Sequence, residues 1–279
     1  MSCPPPSGPS GPSDASGLSG PPDASDPSDP SDASGPPASP PSASDASASA
    51  ESASPGAPRF GPGAEPRTPP PPGLPEPLLV DDRVVAFDKP SGLLSVPGIG
   101  PEKADCLVSR AQEGWPGCRI VHRLDRDTSG VIVMARDAEA HRHLSIEFQE
   151  RRTLKRYVAV VAGVMEADAG TVDAAIRKDM DHPPLQMIDP EQGRPSITHW
   201  SVLERSPDAT RVELRPITGR SHQLRLHLQS IGHPILGDDL YAPPAALAAA
   251  PRLLLHAEEL TFAHPSDGRP VTLRSPAGF

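Results

Sequence analysis

A break in composition near Gly73 sets what this chain can fold into. From Met1 to Gly73 the sequence is Ser, Pro, Ala, Gly and Asp with almost no Val, Ile or Leu, and its one aromatic residue is Phe60. Such a segment has too little apolar surface to offset the entropy of ordering. Repeats such as Asp26-Pro27-Ser28-Asp29-Pro30-Ser31 combine φ-restricted prolines with side chains that compete for backbone hydrogen bonds, so neither helix nor sheet should propagate. Residues 1–73 are therefore expected to be a disordered low-complexity tail, read as solvated filler rather than a partner-binding segment. Residues 74–279 are long enough to bury a substantial core.

The start lacks the basic region and apolar core of a secretory signal. No later stretch is apolar for long enough to span a bilayer. Cys3, Cys106 and Cys118 show no metal-ligand or disulfide spacing, so a reduced cytoplasmic protein is the plainest reading. The formal charge of -10 divides between eight acids and two arginines up to Gly73 and 28 acids with 24 bases beyond it. Net charge alone argues against nucleic acid. Local sign matters more for phosphate contact, and Arg119, Arg123, Arg126, Arg151, Arg152, Lys155 and Arg156 crowd into one short stretch, as an RNA-binding patch or a solvated face.

Beyond Gly73 the pattern alternates between short β-branched runs and two amphipathic segments. Strands are expected over Val84–Phe87, Val131–Ala135, Tyr157–Ala162, His199–Leu203, Arg211–Leu214, Leu253–His256 and Val271–Leu273. Several are apolar on both faces, which calls for a covered sheet. One helix should begin after Asp137, with Ala140, Leu144 and Phe148 on one stripe. A second should follow Thr218, carry Leu224, Leu228 and Ile231, and stop at Gly232. A weaker helix is expected over Ala104–Gln112. Strands mostly follow one another, which favours an α+β domain with a mixed, mainly antiparallel sheet.

The run His122-Arg123-Leu124-Asp125-Arg126-Asp127-Thr128-Ser129-Gly130 is a polar loop between apolar segments. That is a suitable place to present a carboxylate from a rigid support. Asp125 and Asp127 could equally be salt-bridge and turn residues among arginines, with Gly130 completing the turn. Lys89 precedes a Pro-Ser-Gly turn without the spacing of a phosphate-binding glycine loop. His141 and His143, two apart on a helix, do not share a face, and no other His or Cys set supports a metal.

The same run resembles the HRLDxxTSG signature of the RluA family of pseudouridine synthases, at every fixed position. Lys155-Arg156-Tyr157-Val158-Ala159 resembles the family's second motif and Arg215-Pro216-Ile217-Thr218-Gly219-Arg220-Ser221-His222-Gln223-Leu224-Arg225 its third. Asp88-Lys89-Pro90-Ser91-Gly92-Leu93, Gly232-His233-Pro234-Ile235-Leu236-Gly237-Asp238 and Arg252-Leu253-Leu254-Leu255-His256-Ala257 match further segments in the family's order. The resemblance implies a pseudouridine synthase catalytic domain over 74–279 that isomerises uridine in structured RNA with no cofactor and no metal. It implies Asp125 as the essential carboxylate, Arg225 as its ionic partner and Tyr157 as the platform on which the uracil stacks. Arg123 would fill the gap left by the flipped nucleotide. Arg151, Arg152, Lys155, Arg156 and Arg220 would meet phosphates, and Leu254 or Leu255 would form the apolar wall of the base pocket. No RNA-binding module of the S4 type is recognisable, which resembles the compact branch acting on uridine 32 of tRNA anticodon stem-loops and uridine 746 of 23S rRNA. A different tRNA or 23S rRNA uridine is the alternative, and a non-catalytic RNA-binding folding factor a more distant one. A monomer without membrane or obligate protein partners is expected.

Overall fold

The computed structural model describes residues 69–279, so the expected low-complexity tail lies, but for its end, outside the described residues. Strands β1 (Pro77–Val80) and β2 (Val84–Lys89) form a hairpin, followed by α1 (Leu107–Gly114), the short β3 (Arg119–Ile120) and β4 (Ser129–Ala135). Helix α2 (Ala138–Gln149) leads to β5 (Leu154–Ala162), β6 (Ala169–Asp173) and the small hairpin β7 (Ile176–Lys178) with β8 (Gln186–Ile188). The long β9 (Ile197–Arg205) and β10 (Ala209–Pro216) come next, then α3 (Gln223–Ser230), α4 (Pro244–Ala248), β11 (Leu255–Ala263) and β12 (Pro270–Arg274).

One large sheet runs in the order β1-β2-β4-β11-β5-β10-β9-β6, with β12 on β11 and β3 on β4. Its pairings among the described residues are antiparallel except β4 with β11, which meet in parallel only at Ser129–His256 and Gly130–Ala257. The expected α+β class with a mixed, mainly antiparallel sheet is the one observed. No helix among the described residues is long and apolar enough to cross a membrane.

Alternation within the strands explains why they read as apolar throughout. Val84 and Ala86 face one side with Val131, Val133 and Ala135, against Ala140 and Leu144 of α2. Val85 and Phe87 face the other with Ile132 and Met134, against Leu107 and Ala111 of α1. A third cluster joins Ala159, Val161, Val212 and Leu214 to Leu224 and Leu228 of α3. Each fully buried large side chain contributes roughly 1.5–3 kcal/mol over leaving it in water, so helices on both faces make the two-sided apolar pattern stabilising.

The helix boundaries show how local chemistry works. Asp137 caps α2 as expected, its carboxylate accepting from the backbone N–H of Glu139 and Ala140 at 2.8 and 2.9 Å. Helix α1 is displaced toward its C-terminal end relative to the Ala104–Gln112 expectation, because Cys106 and Ser109 form a reciprocal cap there. Helix α3 does not follow Thr218 directly. The Thr218 hydroxyl is engaged by Ile197 N–H and by the Gln223 side chain, so residues 217–222 form a loop tied to β9 and the helix starts at Gln223. Strand β11 likewise begins after Leu253 and Leu254 and runs well past His256.

Candidate active site

The loop between β3 and β4 is clamped from below by the turn after β2. Lys89 is fully buried, and its ammonium donates to the carbonyls of Pro90, Leu93 and Arg126 at 3.0, 2.7 and 2.9 Å. The Ser91 hydroxyl donates to Asp127 O, Gly92 N–H to Arg126 O, and Ser95 Oγ both donates to Leu124 O and accepts from Leu124 N–H. The segment read as a plain turn is thus a turn whose donors fix the carbonyls on both sides of Asp125. Burial lowers the Lys89 pKa to about 7, although three carbonyl acceptors match the three protons of the charged form.

Asp125 projects from this loop into a cleft, its side chain 29% exposed. Tyr157 of β5, Leu255 of β11, and Thr218, His222 and Arg225 from around the start of α3 line the same cleft. Tyr157 packs against both the α1-side and the α3-side clusters. Burial and the Asp125 carboxylate push its phenol pKa up, so the hydroxyl stays protonated.

Arg225 lies 4.0 Å from Asp125, but its tighter partners are elsewhere. It makes a two-point contact with Asp238 at 2.8 and 2.5 Å and reaches Asp239 at 2.8 Å. Its guanidinium also sits over the Tyr241 ring, 5.4 Å from the centroid. Asp238 is fully buried and its pKa is held down by Arg225 and by the N–H groups of Leu240 and Tyr241, against the opposing pull of burial. Arg225 is therefore a pre-aimed cation rather than a dedicated partner of Asp125.

The remaining expected residues divide in space. Arg123, Lys155 and Arg220 line the cleft, and among the described residues none of the three has a carboxylate within ion-pair distance. Arg152 instead pairs with Glu147 and Glu150, and Arg156 with Glu213 and Glu258. Arg151 is exposed at φ 58°, outside the lining. Of the two leucines, Leu255 forms part of the wall, whereas Leu254 packs into the cluster beneath α3.

Asp238, Asp239, His222, Gln223 and Tyr241 went unassigned in the sequence, although most of them fall in the runs quoted above or beside them. Their roles depend on contacts across the chain, such as Gln223 bonding Ile197 O and Thr198 Oγ1 at 3.0 Å. Among the described residues no group of three or more His, Cys, Asp or Glu is placed to hold a metal ion.

A family model for RNA pseudouridylate synthases matches residues 83–230. The dual-specificity RNA pseudouridine synthase RluA of Escherichia coli K12 is 49% identical over 209 residues, covering 73% of this chain and 95% of that protein. The protein of the same name from Pasteurella multocida is 48% identical over 200 residues, 71% of this chain and 91% of its own. Among solved structures, human RNA pseudouridylate synthase domain containing 1 superposes with a TM-score of 0.62 at 28% identity, covering 72% of this chain and 82% of that one.

Proposed function

We propose, from the premise that this chain belongs to the RNA pseudouridylate synthase family and is an RNA pseudouridine synthase, that Asp125 is its catalytic carboxylate. The targets proposed are uridine 32 of tRNA anticodon stem-loops and uridine 746 of 23S rRNA. The reaction breaks the N1–C1′ bond, turns the uracil and joins C5 to C1′; C5 loses its proton and N1, which keeps the electron pair of the broken bond, takes one up, so composition is unchanged. An ionised carboxylate against the sugar serves either route, by bonding to C1′ or by taking the C2′ proton.

The observation that carries this reading is the clamping of the 124–127 backbone by Lys89, Ser91 and Ser95 beneath a carboxylate that is itself partly exposed in a cleft. A fixed backbone with an open side chain suits a group that must meet a substrate atom in one geometry. Tyr157 offers its ring as the platform for a base taken out of its stack, Leu255 closes the pocket, and Arg123 occupies the gap left in the RNA. Lys155 and Arg220 meet phosphates, with Arg151 at the periphery. The substrate assignment rests on the similarity to relatives named as dual-specificity enzymes. A cytoplasmic setting agrees with Cys106 and Cys118 being free thiols.

Release of tritium from C5-labelled uridine in an anticodon stem-loop tests the assignment. Asp125→Ala should lower the rate by about 10²–10⁴-fold or more while RNA binding persists. Unchanged release from the variant would remove Asp125 from the chemistry.

A further inference from the structure

His222 stands at the start of α3 in the left-handed region, at φ 55° and ψ 16°. A bulky residue occupies that region only when its surroundings hold it there. Its side chain meets Tyr241, whose hydroxyl lies 2.8 Å from His222 Nδ1. The same hydroxyl accepts from the backbone N–H of Gln186, at 2.9 Å. Among the described residues Nδ1 is then the acceptor that the phenolic proton meets, so the hydroxyl donates to it. The ring proton is left on Nε2. Among the described residues Nε2 has no hydrogen-bond partner, and it is not one of the buried side-chain atoms lacking one. The ring lines the same cleft as Asp125, Tyr157 and Arg225.

We propose that His222 is a neutral hydrogen-bond donor, through Nε2–H, to the uracil carbonyl oxygen that flanks the reacting ring atom. The inference rests on the reading of this cleft as the uridine site. When the N1–C1′ bond breaks, its electron pair stays with the ring, and the negative charge spreads from N1 onto O2. Turning the ring about its N3–C6 axis exchanges N1 with C5 and O2 with O4, so one fixed donor meets O2 during cleavage and O4 during rejoining. His222 transfers no proton in either step. A fixed neutral donor aimed at an oxygen that gains charge favours the transition state over the bound substrate. Burial agrees with the neutral form, since it lowers the His222 pKa.

The test uses the full chain and single-turnover tritium release from C5-labelled stem-loop RNA. His222→Gly removes the donor at a backbone position that glycine adopts without strain, and His222→Gln restores an uncharged N–H donor. The Gly variant should slow turnover by about 10²-fold with RNA affinity changed less than about threefold, and the Gln variant should recover part of the rate. Replacing the target by 2-thiouridine or 4-thiouridine weakens one carbonyl acceptor at a time. At least one thio substitution should slow the wild type and leave the Gly variant little affected. An unchanged rate in His222→Gly, equal loss of rate and affinity, or independent effects of both thio substitutions would each overturn the proposal. Asp125→Ala, run alongside, separates the two failures: full activity there overturns the site reading and this inference with it.

Discussion

Arg225 already faces two carboxylates before Asp125 is counted, and Arg126 adds a second cation through contacts with Asp127 and Asp239. The 4.0 Å separation between Arg225 and Asp125 leaves room for Asp125 to turn toward a sugar without breaking a buried pair. A cation held at two points has little rotamer freedom left to lose when substrate arrives. His122, three residues before Asp125, is fixed differently. Its ring stacks on Phe148 with centroids 4.4 Å apart, and Nε2 accepts from Val133 N–H at 3.1 Å. Protonation would turn that acceptor into a donor, and burial together with Lys155 lowers the pKa to about 3. The unfolded chain takes up this proton near pH 6.5, the folded chain only near 3, so the unfolded state binds more protons in between. Stability should therefore fall as pH drops through that window. In urea titrations the wild type should lose ground to His122→Gln by up to about 1.4 kcal/mol per pH unit. A constant difference between pH 6.5 and 4 would show that His122 does not titrate there.

At the scale of elements, the parallel contact of β4 with β11 joins the Asp125 loop to the strand that carries Leu255. Gly130 makes that contact possible. It reads in the sequence as the end of a turn, yet it is a strand residue at φ 117° paired with Lys89 on one side and Ala257 on the other. A Cβ there would stand 2.3 Å from Ala257 O and 2.6 Å from Ala257 N. Gly130→Ala should cost more than about 2 kcal/mol through strain and a displaced backbone, read as a lowered urea midpoint, with activity lost as the loop shifts. A variant of wild-type stability would mean that β11 can move away freely. Strand β11 also shows where periodicity misleads. Glu258 and Glu259 interrupt the apolar run, so the pattern ends at His256, but the strand continues through an irregularity between Ala257 and Glu259. Glu258 is accommodated by Arg156 at 2.6 Å.

Over the whole molecule, residues 74–279 carry more acids than bases, yet the cleft shows Arg123, Lys155 and Arg220 without carboxylate partners among the described residues. Local sign, rather than net charge, should then govern RNA affinity. Lys155→Ala and Arg220→Ala should each reduce the slope of log affinity against log salt by about 0.7–0.9. Arg152→Ala and Arg156→Ala, whose charges are already matched by glutamates, should change it less; equal changes in all four would point to a diffuse field instead. The sequence by itself determined strands β2, β4, β5, β9 and β10, the capped start of α2 and the loop that bears Asp125. Those features depend on residues within a few positions of one another, through hydrophobic period, turn chemistry and capping. Only the tertiary structure decided which cations are open and which are paired, that Asp238 and Asp239 hold Arg225, that Leu255 rather than Leu254 reaches the cleft, and that Tyr241 fixes the His222 ring. Those outcomes depend on which distant segments the sheet brings together, and no local pattern encodes that distance.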